Sequence, residues 1–310
     1  MLDRFAPVET RSQPWYAAAK ANYSGGFIDA CVKALQDLGL DKATVGFDNL
    51  AFAPFVAERL PDMKVVDAYS LLKYVRMVKT EAELRLLREA HLLNQAAIER
   101  VVASYAPGMT WHDLNTAYYL GVTRLGGFVV DRGSLVLFNP RGSEPVLQFS
   151  SGLEPDFPLE PGMHVMFDCH GRWKGYNWDG GKTWVVGGVE ADGRKIARVC
   201  GDALEEVLNA ARPGVRLSRL QALGRRVFER HGVPAPESVF IYFHGVGLDN
   251  SEHEWGTPAD WVMEAGTVVA VHIYYPGDER HRYYIEEFGV VTPSGISRFF
   301  GWDVRESLAG

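Results

Sequence analysis

Asp168, His170 and Asp179 occur close together between residues 164 and 188, where apolar runs flank a Gly-rich turn region. One apolar run precedes Asp168 and another follows Asp179, which predicts a β-hairpin with the two carboxylates on facing strands. His170 is two residues after Asp168 and therefore shares its face. Adjacent carboxylates repel unless a proton or a cation lies between them, so this hairpin predicts a divalent-metal site. The alternative is a pair of exposed turn aspartates.

Further candidate ligands occur nearer the C-terminus. His244 begins a His-Gly-Val-Gly-Leu run, His253 follows it, and His272 lies inside an apolar run. Glu286 and Glu287 lie between apolar residues, where an ionised carboxylate is costly without a partner. Each histidine taken singly is more typical of a hydrogen-bonded core or surface residue than of a ligand. Their placement with two aspartates, all on strands or at strand ends, favours a metal site.

The composition limits the classes of protein to consider. The 310 residues are 47% hydrophobic and 23% charged, as is typical of globular proteins, and no apolar run reaches the length of a membrane span. A net charge of −7 argues against a nucleic-acid partner. Cys31, Cys169 and Cys200 are few and far apart, and the N-terminus lacks a secretory signal. We therefore expect a cytoplasmic protein with reduced thiols that contacts neither membrane nor nucleic acid.

The elements that must position these residues fall into two parts. The first part, residues 1–75, alternates helices at 27–38 and 51–60 with strands at 43–47 and 63–68, which predicts a small α/β unit.

The second part, residues 76–310, has the order helices, strands, helices, strands, which predicts an α+β domain. Thr80 with Glu83, and Thr110 with Asp113, have the spacing of capping boxes at the starts of two helices. Ser218 is the predicted N-cap of a later helix. The other predicted elements are helices at 194–211 and 218–231 and strands at 128–130, 134–138, 238–243, 267–275 and 283–291.

These residues and their spacing resemble the pita-bread family, which includes prolidase, aminopeptidase P, methionine aminopeptidase and creatinase. The resemblance begins near Ala43 and extends to the C-terminus. It implies a pita-bread catalytic domain preceded by a short creatinase-like N-terminal domain, which is about half the expected length and is either naturally short or truncated. The motifs that carry it are Asp168, Gly175-Tyr176, Asp179, Thr183, the run that starts at His244, Pro276-Gly277, Ile285-Glu286-Glu287 and Val290-Val291-Thr292.

The resemblance also implies a set of metal ligands. Peptidase members hold two divalent metals with two aspartates, a histidine and two glutamates, and four of these ligands carry over to Asp168, Asp179, His244 and Glu286. The fifth, a glutamate in the family, falls on His272 by strand spacing. His170 replaces a family glycine and is a sixth candidate ligand.

These replacements change the metal chemistry that we expect. Histidine in place of glutamate removes a negative charge and a bridging carboxylate, so one ion becomes an alternative to two. The expected cofactor is one or two divalent transition-metal ions, with manganese, iron, zinc and cobalt as candidates, and added imidazole shifts the preference from manganese towards iron, zinc or nickel. Trp178 and Trp184 are expected to add bulk beside the site.

Three functions remain open from the sequence. The first is a hydrolase that resembles Xaa-Pro dipeptidase and aminopeptidase P and attacks a short peptide or small amide with a metal-activated water. In this interpretation Glu286 takes the proton of that water and His253 binds the carbonyl oxygen, although His253 is otherwise interpreted as a surface loop residue. The second is a C–N hydrolase or lyase that acts on a small polar metabolite. The third is an inactive family member that serves as a binding protein. A homodimer is expected in each case.

Overall fold

The computed structural model of the chain describes residues 25–130, 135–138, 147–149, 156–252, 260–278 and 281–308. The chain divides into two compact units, residues 1–73 and 74–310. None of the helices within the described residues is long and apolar enough to cross a membrane.

The first unit is a small α/β arrangement, as the sequence predicts. Helix α1 (Gly25–Asp37) precedes strand β1 (Thr44–Phe47), and helix α2 (Ala53–Ala57) precedes strand β2 (Lys64–Asp67). The two strands pair in parallel, and buried apolar side chains of the unit form a core of their own. Helix α3 (Tyr69–Met77) follows and contains the point that divides the two units.

Two long helices begin the second unit, α4 (Glu81–Ala103) and α5 (Trp111–Arg124). Both predicted capping boxes are confirmed. In the first, Glu83 Oε2 accepts from the Thr80 amide at 2.7 Å while Thr80 Oγ1 accepts from the Glu83 amide at 3.4 Å. The second box satisfies the first-turn amides of α5 in the same way. Each helix buries one apolar face in the core of the unit.

The predicted central hairpin is present, but it is split between two sheets. Strand β6 (His164–Phe167) pairs antiparallel with β9 (Thr183–Val185) in a four-stranded sheet that also contains β4 (Leu135–Phe138) and β5 (Leu147–Phe149). The tip of the hairpin, β7 (Gly171–Trp173) and β8 (Tyr176–Trp178), pairs instead with β3 (Phe128–Val129). The two predicted aspartates lie at the break between the sheets.

A second four-stranded sheet forms the C-terminal half of the unit. Its antiparallel strands are β10 (Phe240–Gly245), β11 (Val268–Tyr275), β12 (Tyr283–Thr292) and β13 (Gly295–Arg298). Helices α6 (Ala191–Ala210) and α7 (Leu217–Arg230) share an apolar core with this sheet. A short 3₁₀ helix, Pro236–Ser238, leads into β10.

Two expectations about individual residues are wrong. Helix α7 starts at Leu217, so Ser218 lies inside its first turn, and its amide and hydroxyl bind the carboxylate of Asp260 at 2.9 and 2.7 Å. Trp178 and Trp184 were expected to add bulk beside the site. They pack instead in the apolar core, where they are 0% and 1% exposed. Trp178 fills the space beside Gly171, where an added Cβ would lie 2.0 Å from its ring.

Candidate metal centre

The two hairpin aspartates are held opposite each other by backbone contacts across the split hairpin. Asp168 directly follows β6 and Asp179 directly follows β8. The amide of Phe167 donates to the Lys182 carbonyl at 3.4 Å, and the amide of Cys169 donates to the Gly180 carbonyl at 3.3 Å. The chain therefore stays paired through the point at which it changes sheets.

Residues 180–183 bind to the edge of β12 and bring Asp179 beside Glu286. The amide of Glu286 donates to the Gly181 carbonyl at 2.8 Å, and the hydroxyl of Thr183 accepts from the Tyr284 amide at 2.8 Å. The approach requires glycine, because a Cβ added at Gly180 would lie 2.9 Å from Glu286 Oε2 and one at Gly181 would lie 2.3 Å from the Phe167 carbonyl oxygen.

His244, His272 and Glu286, which we name the triad, converge from three adjacent strands. His272 faces Glu286 directly across β11 and β12. The Nε2 atoms of the two histidines are 3.0 Å apart, and Glu286 Oε1 lies 3.3 Å from His244 Nε2 and 2.7 Å from His272 Nε2. The three side chains thus direct one donor atom each towards a common point.

Asp168, His170 and Asp179, which we name the aspartate group, lie beside the triad. His170 Nε2 is 3.7 Å from Asp168 Oδ1 and 3.5 Å from Asp179 Oδ1. The other oxygen of Asp179 is 3.7 Å from His244 Nε2, which joins the two groups. All six candidate ligands from the hairpin and the C-terminal strands are therefore brought together.

The centre is buried on one side and open on the other. Glu286 is 0% exposed and the side chains of Asp179 and His244 are each 5% exposed, whereas those of Asp168 and His170 are 27% and 23% exposed. Solvent reaches the donors from the side of Asp168 and His170.

The side chains of the centre shift one another's pKa values. Burial and the charge of Glu286 raise the pKa of Asp168, and they raise the pKa of Asp179 further. Burial alone would lower the pKa of His244, but the hydrogen bond to Glu286 and the charge of Asp179 raise it to about 9. Burial alone would raise the pKa of Glu286, yet the charge of His272 and the hydrogen bond from His244 lower it.

Three carboxylates and three imidazoles therefore face one another where their charges are poorly solvated. A positive ion between them would accommodate these groups better than protons alone. Nitrogen and oxygen donors of these types are those that divalent transition metals prefer. The residues present fit a divalent metal ion.

Sequence analysis missed two contributors to this centre. The hydroxyl of Tyr284 contacts Asp168 Oδ1 at 3.2 Å and Glu286 Oε2 at 2.5 Å. Its position two residues before Glu286 on the same strand was the available signal, since such residues share a face. The second is Asn94, a fully buried α4 residue whose Nδ2 donates to the Gly180 carbonyl at 2.9 Å. No pattern in the sequence links Asn94 to the hairpin.

The neighbouring carboxylate, Glu287, belongs to the opposite face of β12. It forms an ion pair with Arg298 at 2.8 Å and accepts from the amides of Phe288 and Phe300 at 3.1 and 3.2 Å. Burial raises the pKa of Glu287 to about 7 despite the charge of Arg298. Glu287 therefore anchors the chain that follows β13 and contributes nothing to the centre.

His253, the predicted substrate-binding histidine, lies outside the described residues. Its role stays a prediction.

The split hairpin, the antiparallel β10–β13 sheet and the donors between them define a pita-bread α+β protein. The profile of metallopeptidase family M24 matches residues 85–293, more than half of the chain. The chain belongs to this family.

Individual relatives agree with that membership. The Xaa-Pro dipeptidase of Pyrococcus furiosus is 24% identical over 246 residues, which cover 76% of this chain and 66% of the relative. A protein of Mycobacterium tuberculosis named "Probable dipeptidase PepE" is 28% identical over 236 residues, which cover 74% of this chain and 60% of the relative. The chain thus spans less than two thirds of the length of these curated relatives.

The fold is shared with solved structures as well. The X-Pro aminopeptidase from Thermotoga maritima superposes with a TM-score of 0.72 at 19% identity, and the match covers 89% of this chain and 77% of that chain.

Proposed function

We propose that this chain is a metal-dependent hydrolase of the Xaa-Pro dipeptidase and aminopeptidase P type, acting on a short peptide or a small amide. The observation that carries the proposal is the convergence of the triad and the aspartate group at one solvent-accessible centre of an M24 fold. The names of the relatives support the same class of substrate.

The proposed ligands are the triad and the two aspartates of the aspartate group, with His170 as a sixth candidate. One or two divalent transition-metal ions would be held there, with manganese, iron, zinc and cobalt as candidates. When bound, such an ion polarises a substrate carbonyl and lowers the pKa of a water molecule towards neutrality.

Glu286 is the proposed proton acceptor. Its Oε1 faces the two triad histidines, so Oε2, which accepts from the Tyr284 hydroxyl, is the oxygen that stays free of the metal and would take up the proton. Because Glu286 is fully buried, that proton is shielded from bulk water. His253 is proposed to donate to the carbonyl oxygen of the substrate, where a well-placed donor is worth about 10²–10³ in rate.

A non-peptidase reaction is the second candidate. It is favoured by His272, which stands where the peptidase members carry a glutamate, and by Tyr284, whose hydroxyl binds two of the three carboxylates. His272 removes a negative charge from the centre and Tyr284 occupies two carboxylate oxygens, and we expect these features to make Xaa-Pro cleavage slow. Hydrolysis of a C–N bond or a lyase reaction on a small polar metabolite would then be the main activity.

The test is a panel of Ala-Pro, Gly-Pro and a tripeptide with proline second, assayed with manganese, iron, zinc and cobalt. Ala-Ala is the matched control substrate and Glu286→Gln is the control variant. We expect proline-dependent hydrolysis below about 10 s⁻¹, a typical enzyme turnover, which is lost in Glu286→Gln. Protein that carries metal by elemental analysis but cleaves no member of the panel would contradict the peptidase function and leave the second candidate. Protein that binds no metal would contradict both.

We further propose a homodimer in a reducing, cytoplasmic compartment, with residues 1–75 as part of a creatinase-like N-terminal domain. Free cysteines at three positions support the compartment. A sedimentation mass near 34.5 kDa, the mass of one chain, would contradict the dimer.

A further inference from the structure

The spacing of the triad suits one metal ion. Neighbouring ligands of an octahedral ion with bonds of about 2.0–2.2 Å lie about 3 Å apart. The three donor atoms of the triad are 3.0, 3.3 and 2.7 Å apart, so they match one face of such an ion. The corresponding distances from His170 in the aspartate group are longer, at 3.7 and 3.5 Å.

The environment of Glu286 argues against a bridge to a second ion. A carboxylate most commonly bridges two ions through both of its oxygens, with one oxygen facing each ion. Oε1 faces the triad histidines, but Oε2 accepts from the Tyr284 hydroxyl at 2.5 Å. Gly180 closes another side of Oε2, since an added Cβ there would lie 2.9 Å away.

We propose that the triad holds a single transition-metal ion and that the aspartate group holds no second ion. Tyr284 is the residue that separates the two, because its hydroxyl occupies Glu286 Oε2 and links it to Asp168 instead of to a second ion. Two imidazoles with one carboxylate form the ligand set that suits iron, cobalt, nickel or zinc better than magnesium or calcium. The inference rests on the metal dependence in the proposed function and is independent of its peptidase activity.

The experiment measures metal binding without turnover. Protein stripped by a chelator is titrated with Co²⁺ and with Zn²⁺ in a calorimeter, and the bound metal is counted by elemental analysis after gel filtration. We expect one ion per chain. The Tyr284→Phe variant, which removes only the hydroxyl, should bind a second ion at saturating metal.

A pair of histidine variants locates the ion. Removal of a ligand should cost more than the loss of an outer-sphere residue, so His272→Ala should weaken binding by more than about 100-fold. His170→Ala is the matched control, since it removes an imidazole from the same centre, and as the loss of an outer-sphere residue it should weaken binding by no more than about 10–100-fold. Circular dichroism and thermal unfolding verify that each variant is folded, and His272→Gln replaces His272→Ala if the latter is not.

Three results would overturn the inference. They are two ions per chain in the unaltered protein, equal loss of affinity in the two histidine variants, and an unchanged stoichiometry in Tyr284→Phe. A single ion on the triad with no cleavage of any dipeptide would contradict the proposed peptidase function while the inference stands. Proline-specific cleavage that requires two ions would contradict the inference and support the proposed peptidase function.

Discussion

Lys79 and Glu252 form an ion pair in which each side chain is only 1% exposed. Lys79 Nζ also donates to the Arg76 carbonyl at 2.5 Å, and Glu252 accepts from the Leu248 amide at 3.0 Å. The amide of Glu252 donates to the Gly245 carbonyl at 2.9 Å, beside the triad residue His244. The pair therefore connects the segment before α4 to the loop that follows β10.

Replacing Lys79 by methionine should lower the free energy of unfolding by up to about 3–5 kcal/mol, because the buried Glu252 carboxylate then keeps only the Arg76 guanidinium, at 3.5 Å. Urea denaturation measures the change. In the Lys79→Met/Glu252→Gln double variant much of the loss should be recovered, since no uncompensated charge remains. The control is Lys174→Met, which breaks an exposed ion pair with Glu89 and should cost less than about 1 kcal/mol. Equal losses in the two single variants would contradict the assignment.

Asp179→Asn should raise the thermal midpoint of metal-free protein and weaken its binding of metal. The raised pKa of Asp179 means that its ionised form is destabilised by burial and by Glu286. An acid whose pKa is raised in the folded state loses stability as the pH rises through that pKa, so the gain in the variant should grow with pH. Asp168→Asn, whose side chain is 27% exposed, is the matched comparison and should gain less. A variant less stable than the parent without metal would contradict the argument.

A buried polar chain supports the backbone beside Asp179. Asn94 donates to the Gly180 carbonyl at 2.9 Å and accepts from the Tyr118 hydroxyl at 2.9 Å, and both side chains are 0% exposed. Asn94→Ala removes the acceptor of the Tyr118 hydroxyl and one of the two donors to the Gly180 carbonyl, and it should cost about 1–3 kcal/mol. Tyr118→Phe removes a partner from Asn94 Oδ1 and from Trp178 Nε1 and should cost a similar amount. Asn94→Ala should also weaken metal binding, because Gly180 adjoins Asp179.

A double-mutant cycle of these two changes, measured by chemical denaturation, should show coupling between them. Additive losses would show that the two side chains act separately.

Asp156 gives the fold a pH-dependent contribution at the start of α5. Its carboxylate accepts from the His112 amide at 3.1 Å, and although slight burial raises its pKa, hydrogen bonds from His112 and Thr110 lower the pKa to about 2. A carboxylate with a lowered folded pKa stabilises the protein above its ordinary pKa of 3.8 and loses that effect as the pH falls to about 2. Asp156→Asn should therefore melt at a lower temperature than the parent at pH 6, and the two midpoints should converge by about pH 2. A constant difference across this range would contradict the assignment.

The features that could be predicted from sequence depend on short-range signals. Both capping boxes join residues three apart, and the short apolar runs before Asp168 and after Asp179 favour strands. The antiparallel strands that carry His244, His272 and Glu286 are predictable for the same reason. The convergence of these strands on the hairpin came from the resemblance to the pita-bread family, because periodicity gives elements and not their arrangement.

The features that could not be predicted depend on residues far apart in the chain. Ser218 was predicted to be an N-cap from its local sequence. Its actual partner, Asp260, comes from a distant segment that local sequence cannot reveal. Trp178 was predicted to lie beside the site because it precedes Asp179. The sequence does not show that its ring fills the space beside Gly171. The spacing of Tyr284 from Glu286 shows only that the two share a face, and its two carboxylate contacts emerge from the alignment of β12 with the hairpin.

The close approach at Gly180 and Gly181 bears on how this centre can change in evolution. The donors lie on paired strands, so a new side chain at position 272 would still point towards His244 and Glu286. Histidine already occupies this position, where the resemblance to the family implies a glutamate. Any side chain at Gly181 would have to displace the Phe167 carbonyl oxygen, because its Cβ would lie 2.3 Å from that atom. Random mutagenesis followed by selection for a new reaction should therefore recover exchanges of donors and no substitution of Gly181. The adaptable part of this centre is its chemistry, and the invariable part is the backbone that carries the donors.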